Sequence, residues 1–70
     1  MNAQAIYDVE GADGQWLAEC ESWRQVWAAL NTLLIEDREP GPLMVFARGT
    51  ERTGPWSAQL DSTGHVYLRS

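Results

Sequence analysis

A chain of 70 residues with 44% hydrophobic residues and four tryptophans is long enough for one domain and too apolar for intrinsic disorder. Its net charge of −5 and its lack of lysine argue against direct nucleic-acid binding, which needs clustered cations. One cysteine, no signal-peptide pattern and no apolar run near the roughly 18–20 residues of a membrane span predict a single cytoplasmic domain, residues 1–70, without a disulfide.

The first two predicted elements form a β-hairpin. Ala5–Glu10 and Gln15–Cys20 flank Gly11-Ala12-Asp13-Gly14, whose residues tolerate the positive φ of a tight turn. Pairing of Glu10 with Gln15 gives a four-residue loop. One face then carries Ala5, Tyr7, Val9, Trp16, Ala18 and Cys20, and the other carries Ile6, Asp8, Glu10, Gln15, Leu17 and Glu19.

A helix is predicted over Ser22–Asp37. Ser22 and Gln25 match the capping-box pattern, and Pro40 ends the helix. The apolar stripe recurs at helical spacing, which predicts one buried face made of Trp23, Val26, Trp27, Leu30, Leu33 and Leu34. Ile35 falls beside this stripe.

Three strands follow the helix. Leu43–Ala47 is apolar on both faces, as is typical of a central strand, and Thr50–Pro55 is a predicted loop. Trp56–Asp61 and His65–Arg69 alternate and form a second hairpin with Gly64 in the left-handed position. The inner set of this hairpin is Trp56, Ala58, Leu60, Val66 and Leu68. The order ββαβββ predicts an α+β two-layer sandwich, with about five antiparallel strands and one helix packed on one face. The strand order stays open.

Three candidate chemical sites have simpler structural explanations. Asp61 and His65 suit acid–base chemistry, but a surface pair across the hairpin explains them equally. Cys20 lies between two glutamates, which favour an inert thiol over a reactive thiolate. Asp8, Glu10 and Asp13 lack the 12-residue spacing of a calcium loop. The sequence therefore predicts no enzymatic activity, no metal and no cofactor.

The tryptophans have two interpretations. One interpretation is an aromatic cage that stacks on a ligand, formed by Trp16, Trp23, Trp27 and Trp56. However, each of them falls on the predicted inner face, where packing in the core explains it. Trp27 lies nearer the edge of the helical stripe, so we expect it to be partly exposed.

Acidic residues concentrate in the first 40 residues, which contain eight carboxylates and two arginines. Asp8 and Glu10 are two residues apart on one strand, so we expect them about 7 Å apart on one face, with Glu19 on the neighbouring strand. These carboxylates either keep the surface soluble or bind arginine and lysine of a partner. The candidate partner-binding residues are Asp8, Glu10, Asp13, Glu19, Glu21, Glu36, Asp37 and Glu39.

The same eight carboxylates give the chain a resemblance. A small, acidic, lysine-free domain without an enzyme motif resembles the phage-encoded anti-CRISPR inhibitors, several of which mimic DNA. The resemblance implies a non-enzymatic inhibitor in a bacterial host cell. Its partner is then a basic nucleic-acid-binding protein, such as a CRISPR effector subunit, whose phosphate-binding cations the carboxylates occupy.

A second hypothesis rests on the sheet face away from the helix. Ile6, Leu17 and Tyr67 are predicted there together with part of the segment Leu43–Ala47, and a monomer seldom exposes a large apolar patch. The hairpin followed by a helix also resembles the start of HicB-type antitoxins, although the proline-rich segment between them is missing. This alternative is an antitoxin-like or structural module that forms a homodimer or caps a partner. A monomer and a homodimer both remain open.

Overall fold

The described part of the chain forms five strands and one helix, in the predicted ββαβββ order. The structure is a computed structural model and describes residues 6–49 and 53–70. Its elements are β1 (Ile6–Glu10), β2 (Trp16–Cys20), α1 (Trp23–Asn31) continued by a π-helical turn (Thr32–Glu36), β3 (Leu43–Arg48), β4 (Thr53–Leu60) and β5 (Val66–Arg69). No helix within the described residues is long and apolar enough to cross a membrane.

The strands form one antiparallel sheet in the order β2-β1-β3-β4-β5. Each predicted hairpin forms one side of the sheet, and β1 pairs with β3 to join them. Because α1 packs on only one face of this sheet, the predicted α+β two-layer sandwich is confirmed. The position of β3 in the middle also agrees with its apolar sequence.

The core lies between α1 and the inner sheet face. Val26 and Leu30 are fully buried, and Leu34 extends the same stripe into the π-helical turn. They pack in one cluster with the buried sheet residues Val9, Cys20, Leu43, Val45 and Ala58. The predicted helical stripe is therefore the face that meets the sheet. Leu60, predicted to be internal, lies where β4 leaves the core and is 39% exposed.

The start of the helix follows the predicted cap with one change. The Ser22 hydroxyl accepts a hydrogen bond from the Gln25 backbone N–H at 3.2 Å. The Gln25 side chain accepts from the backbone N–H of Glu21, at 2.7 Å, rather than from that of Ser22. Both bonds satisfy donors at the helix start, so the cap still fixes where the chain turns into α1.

A β-bulge in the first hairpin makes part of the predicted register wrong. Asp8 lies opposite Glu19 and Val9 opposite Ala18, but Glu10 lies opposite Trp16, because the pairing shifts between Val9 and Glu10. A one-residue shift exchanges the faces of the side chains beyond it. Trp16 is consequently 57% exposed on the outer face, and Leu17 packs against the core instead.

The other tryptophans lie on the helix side of the sheet. Trp23 makes edge-to-face contacts with Tyr7 and Trp56, with ring centroids 5.1 and 5.5 Å apart, and it remains 37% exposed. Trp27 is half-buried, as expected, but Trp16 and Trp23 are more exposed. The aromatic contacts extend the core beyond the aliphatic stripe.

The predicted loop before β4 is shorter than expected. β4 begins at Thr53, which pairs with Ala47 after an irregularity in the β3–β4 register, while residues 50–52 lie outside the described part. Gly54 makes this pairing possible, since its φ is +111° and a Cβ there would approach the Val45 carbonyl oxygen to 2.8 Å. The second hairpin has the predicted three-residue loop, with Gly64 at φ +87°.

Replacing Leu30 with alanine tests the orientation of the helix. Leu30 is fully buried, so Leu30→Ala is expected to lower the free energy of unfolding by about 2–5 kcal/mol. Ile35→Ala is the matched control, because Ile35 is 46% exposed, and its loss is expected to stay below about 1 kcal/mol. Urea unfolding followed by tryptophan fluorescence measures both. Equal losses would show that the helix face is assigned incorrectly.

Candidate functional site

Three of the eight candidate carboxylates, Asp8, Glu10 and Glu19, lie on the outer face of the sheet, and an arginine pairs with two of them. Asp8 on β1 faces Glu19 on β2. Arg48, at the end of β3, donates from Nε to Asp8 Oδ2 at 2.6 Å and from Nη2 to Asp8 Oδ1 at 3.0 Å. Its Nη2 also pairs with Glu19 Oε1. One arginine thus compensates two carboxylates.

Asp8 is additionally covered by Trp16. The indole Nε1 donates to Asp8 Oδ1 at 3.3 Å, and Asp8 retains only 7% exposure. The expectation that Asp8 is an exposed carboxylate is therefore wrong. The physical reason is the bulge, which turns Trp16 to the outer face, together with the strand order, which places Arg48 beside Asp8.

Two pKa values near these carboxylates are shifted. The hydrogen bond from Arg48 to Asp8, and to a lesser extent the one to Glu19, raises the pKa of the Arg48 guanidinium. Burial raises the pKa of the Cys20 thiol, and the charges of Asp8 and Glu19 add to the rise. Cys20 is 3% exposed, so its predicted burial is confirmed.

Three further candidate carboxylates lie on the first hairpin and just before the helix. Glu10 is half-buried on β1 opposite Met44 of β3. Asp13 lies at the hairpin tip, where its Oδ1 accepts from the Gln15 backbone N–H at 3.0 Å. Glu21 is exposed just before the helix.

Glu36, Asp37 and Glu39 gather at the C-terminal end of the helix. The π-helical turn closes with the Asp37 N–H donating to the Thr32 carbonyl at 2.9 Å, and the Glu39 N–H donates to the Leu33 carbonyl at 2.8 Å. Arg38 between them adopts a left-handed φ of 54°, a conformation that costs a non-glycine residue about 1–2 kcal/mol. The turn thereby presents Glu36 and Asp37 to solvent while Glu39 stays half-buried.

A cavity opens beside this turn. It has a volume of about 320 Å³ and is lined by Leu34, Glu39, Gly41, Gln59 and Leu60. The helix end supplies Leu34, the turn supplies Glu39 and Gly41, and the end of β4 supplies the other two. The sequence alone indicated neither this cavity nor the Arg48 network, since both depend on which strands are neighbours.

The eight predicted residues therefore do not form one surface. The start and the end of the helix are separated by about 20 Å at 1.5 Å per residue, so Glu21 and Glu36 cannot contact one compact ligand group together. The structure brings Asp8 and Glu19 together around Arg48, and it brings Glu36, Asp37 and Glu39 together at the helix end. Glu10, Asp13 and Glu21 belong to neither of these two groups.

The candidate acid–base pair lies in the tip of the second hairpin. Asp61 Oδ1 accepts from the backbone N–H groups of Thr63 and His65, both at 2.9 Å, and the Thr63 hydroxyl lies 2.8 Å from His65 Nδ1. The side-chain hydrogen bond from Thr63, followed by the backbone bond from His65, lowers the pKa of Asp61. These bonds explain both residues as parts of an exposed turn.

Within residues 6–49 and 53–70, no group of three or more histidine, cysteine or acidic side chains is arranged to hold a metal ion.

Charge reversal distinguishes the buried carboxylate from the exposed ones. Asp8→Lys places a second cation against Arg48 in a nearly buried position, and we expect it to lower the free energy of unfolding by about 3 kcal/mol or more. Glu36→Lys makes the same charge change at the negative end of the helix dipole, where a cation stabilises by about 0.3–1 kcal/mol. Urea unfolding of both variants checks the difference. Similar stability of the two would contradict the Arg48 network.

Comparisons with known proteins assign no family to this chain. No protein-family model, curated protein or solved structure matches it. The function is therefore inferred from the fold, the charges and the contacts of the chain itself.

Proposed function

We propose that this chain is a non-enzymatic inhibitor that binds a basic, nucleic-acid-binding surface of a partner protein through its own carboxylates. One observation carries the proposal. Glu36, Asp37 and Glu39 occupy a single turn, and within the described residues they form no ion pair, whereas Asp8 and Glu19 are paired with Arg48. Three acidic side chains without an ion pair among the described residues are thus clustered in one turn, at the C-terminal end of the helix.

The position of these carboxylates makes cation binding favourable. A helix C-terminus carries about half a negative charge from its backbone dipole, so acidic residues there repel it and a cation is attracted. Arg38 is the one basic residue between Asn31 and Pro42, and it lies in the same turn as three acids. A basic partner would supply the compensation that the chain itself lacks.

The class of partner follows from the same chemistry. Arginine and lysine clusters that hold phosphates also pair with carboxylates, and arginine does so bidentately. A CRISPR effector subunit, the partner implied by the anti-CRISPR resemblance, presents such a surface to its guide or target. The chain acts in this proposal as a partial nucleic-acid mimic, which occupies several phosphate sites and prevents nucleic acid from reaching them.

A second candidate function is supported by the outer sheet face. Ile6, Met44, Phe46 and Tyr67 lie half-buried on this face, which also carries the exposed Trp16 on the edge strand β2. Within the described residues no second layer of secondary structure packs on this face. An antitoxin-like or structural module that forms a homodimer or caps a partner would use this face. Such binding is driven by apolar burial and is insensitive to salt, which separates it from the first proposal.

Displacement of DNA from a basic peptide tests the inhibitor proposal. The probe is a fluorescein-labelled DNA duplex bound to nona-arginine, and release of the duplex by this protein is followed by anisotropy. Neutralising the helix end with Glu36→Gln, Asp37→Asn and Glu39→Gln together is expected to weaken displacement about tenfold, because exposed ion pairs contribute about 0.2–1 kcal/mol each. Raising the salt concentration is expected to weaken the wild type similarly.

The matched control carries Glu10→Gln, Asp13→Asn and Glu21→Gln, which have the same effect on net charge. It is expected to change displacement less than threefold. Equal loss in the two triple variants would mean that bulk charge alone acts and would contradict a binding surface at the helix end.

A salt-insensitive dimer in sedimentation velocity, with no displacement by the wild type, would favour the outer-face module. Inhibition of target-DNA binding by a purified CRISPR effector then tests the partner class.

A further inference from the structure

The cavity beside the helix end combines apolar walls with one carboxylate. Leu34 and Leu60 provide the apolar surface, and Leu60 is 39% exposed although it belongs to the sheet. Glu39 is half-buried at the same cavity and forms no ion pair within the described residues. A half-buried carboxylate beside exposed leucine favours a ligand that has both an aliphatic part and a positive charge.

A glycine maintains the space in this cavity. A Cβ on Gly41 would lie 3.6 Å from Gln59 Cγ and 3.8 Å from Leu34 Cδ2, so any side chain here would project among the lining residues. Gln59 is held from its other side, because the Tyr67 hydroxyl donates to its Oε1 at 2.7 Å. An amide oxygen has two lone pairs, so this oxygen retains one for a second donor.

We propose that the cavity is a socket for one arginine side chain of the partner protein. This inference rests on the proposed function and names the group that the helix end recognises. The methylene stem packs against Leu34 and Leu60, and the guanidinium pairs with Glu39. Arginine fits better than lysine, since its planar fork pairs bidentately with a carboxylate and is more weakly hydrated than an ammonium.

The size of the cavity agrees with this occupant. Its volume of about 320 Å³ lies at the lower end of the range for small-molecule sites, which is about 300–1,000 Å³. Leu60 and Gly41 are exposed at its mouth, so a side chain enters from solvent while its backbone stays outside. The neighbouring Glu36 and Asp37 then contact adjacent cations of the same basic partner.

Two matched pairs of variants test the socket with labelled nona-arginine and nona-lysine as probes, with binding measured by anisotropy. Glu39→Gln and Glu36→Gln each remove one charge from the same turn, but only Glu39 lines the cavity. Glu39→Gln is expected to weaken nona-arginine binding about fivefold or more and to abolish any preference over nona-lysine. Glu36→Gln is expected to weaken binding less than twofold and to retain the preference.

The second pair carries no change in charge. Leu60→Ala removes one apolar wall and is expected to weaken nona-arginine binding about twofold to threefold, whereas Ile35→Ala, an exposed residue outside the cavity, leaves binding unchanged. Thermal unfolding of each variant confirms that it remains folded. Equal losses within both pairs would overturn the socket and leave a salt-sensitive acidic surface intact. Failure of the wild type to bind either peptide would instead overturn the proposed function, and the socket with it.

Discussion

Arg48 determines which carboxylates of this protein remain available at its surface. It stands at the end of the central strand β3 and pairs with Asp8 on β1 and Glu19 on β2, so its two ion pairs join three adjacent strands on the outer face. Asp8 is nearly buried, so removing Arg48 would leave its charge without compensation in the fold. Two of the four carboxylates of the first hairpin, Asp8 and Glu19, are therefore paired within the chain.

The consequence is an uneven distribution of charge. At the helix C-terminus, Glu36, Asp37 and Glu39 face a dipole of their own sign with only Arg38 beside them. The π-helical turn and the left-handed Arg38 hold this arrangement. A π-helical turn is rare, and the left-handed residue at a helix end is usually glycine rather than arginine. Three features therefore meet at this end of the molecule. They are an uncommon backbone geometry, clustered carboxylates without an ion pair among the described residues and an open cavity.

Local features of the fold could be predicted from the sequence because their causes are local. The period of Val26, Leu30 and Leu34 identified the buried helix face, and Gly64 identified the second hairpin loop. The bulge that exposes Trp16 could not be predicted, since the alternation of the sequence favoured the register without a bulge, in which Trp16 shares a face with Val9. The pairing of Arg48 with Asp8 depends on β1 and β3 being neighbours, 40 residues apart in sequence. The candidate carboxylates were thus identified as residue types, but their grouping required the strand order.

The central claim is that Arg48 occupies Asp8 and Glu19 of the first hairpin and that cationic partners bind at the helix end. Its most direct test is a titration of the ¹⁵N-labelled protein with nona-arginine, followed by two-dimensional ¹H–¹⁵N NMR. The account predicts that the largest shift changes, reversed by added salt, fall on residues 34–41 and 59–60. The largest changes on residues 8–19, with the helix end unaffected, would contradict it.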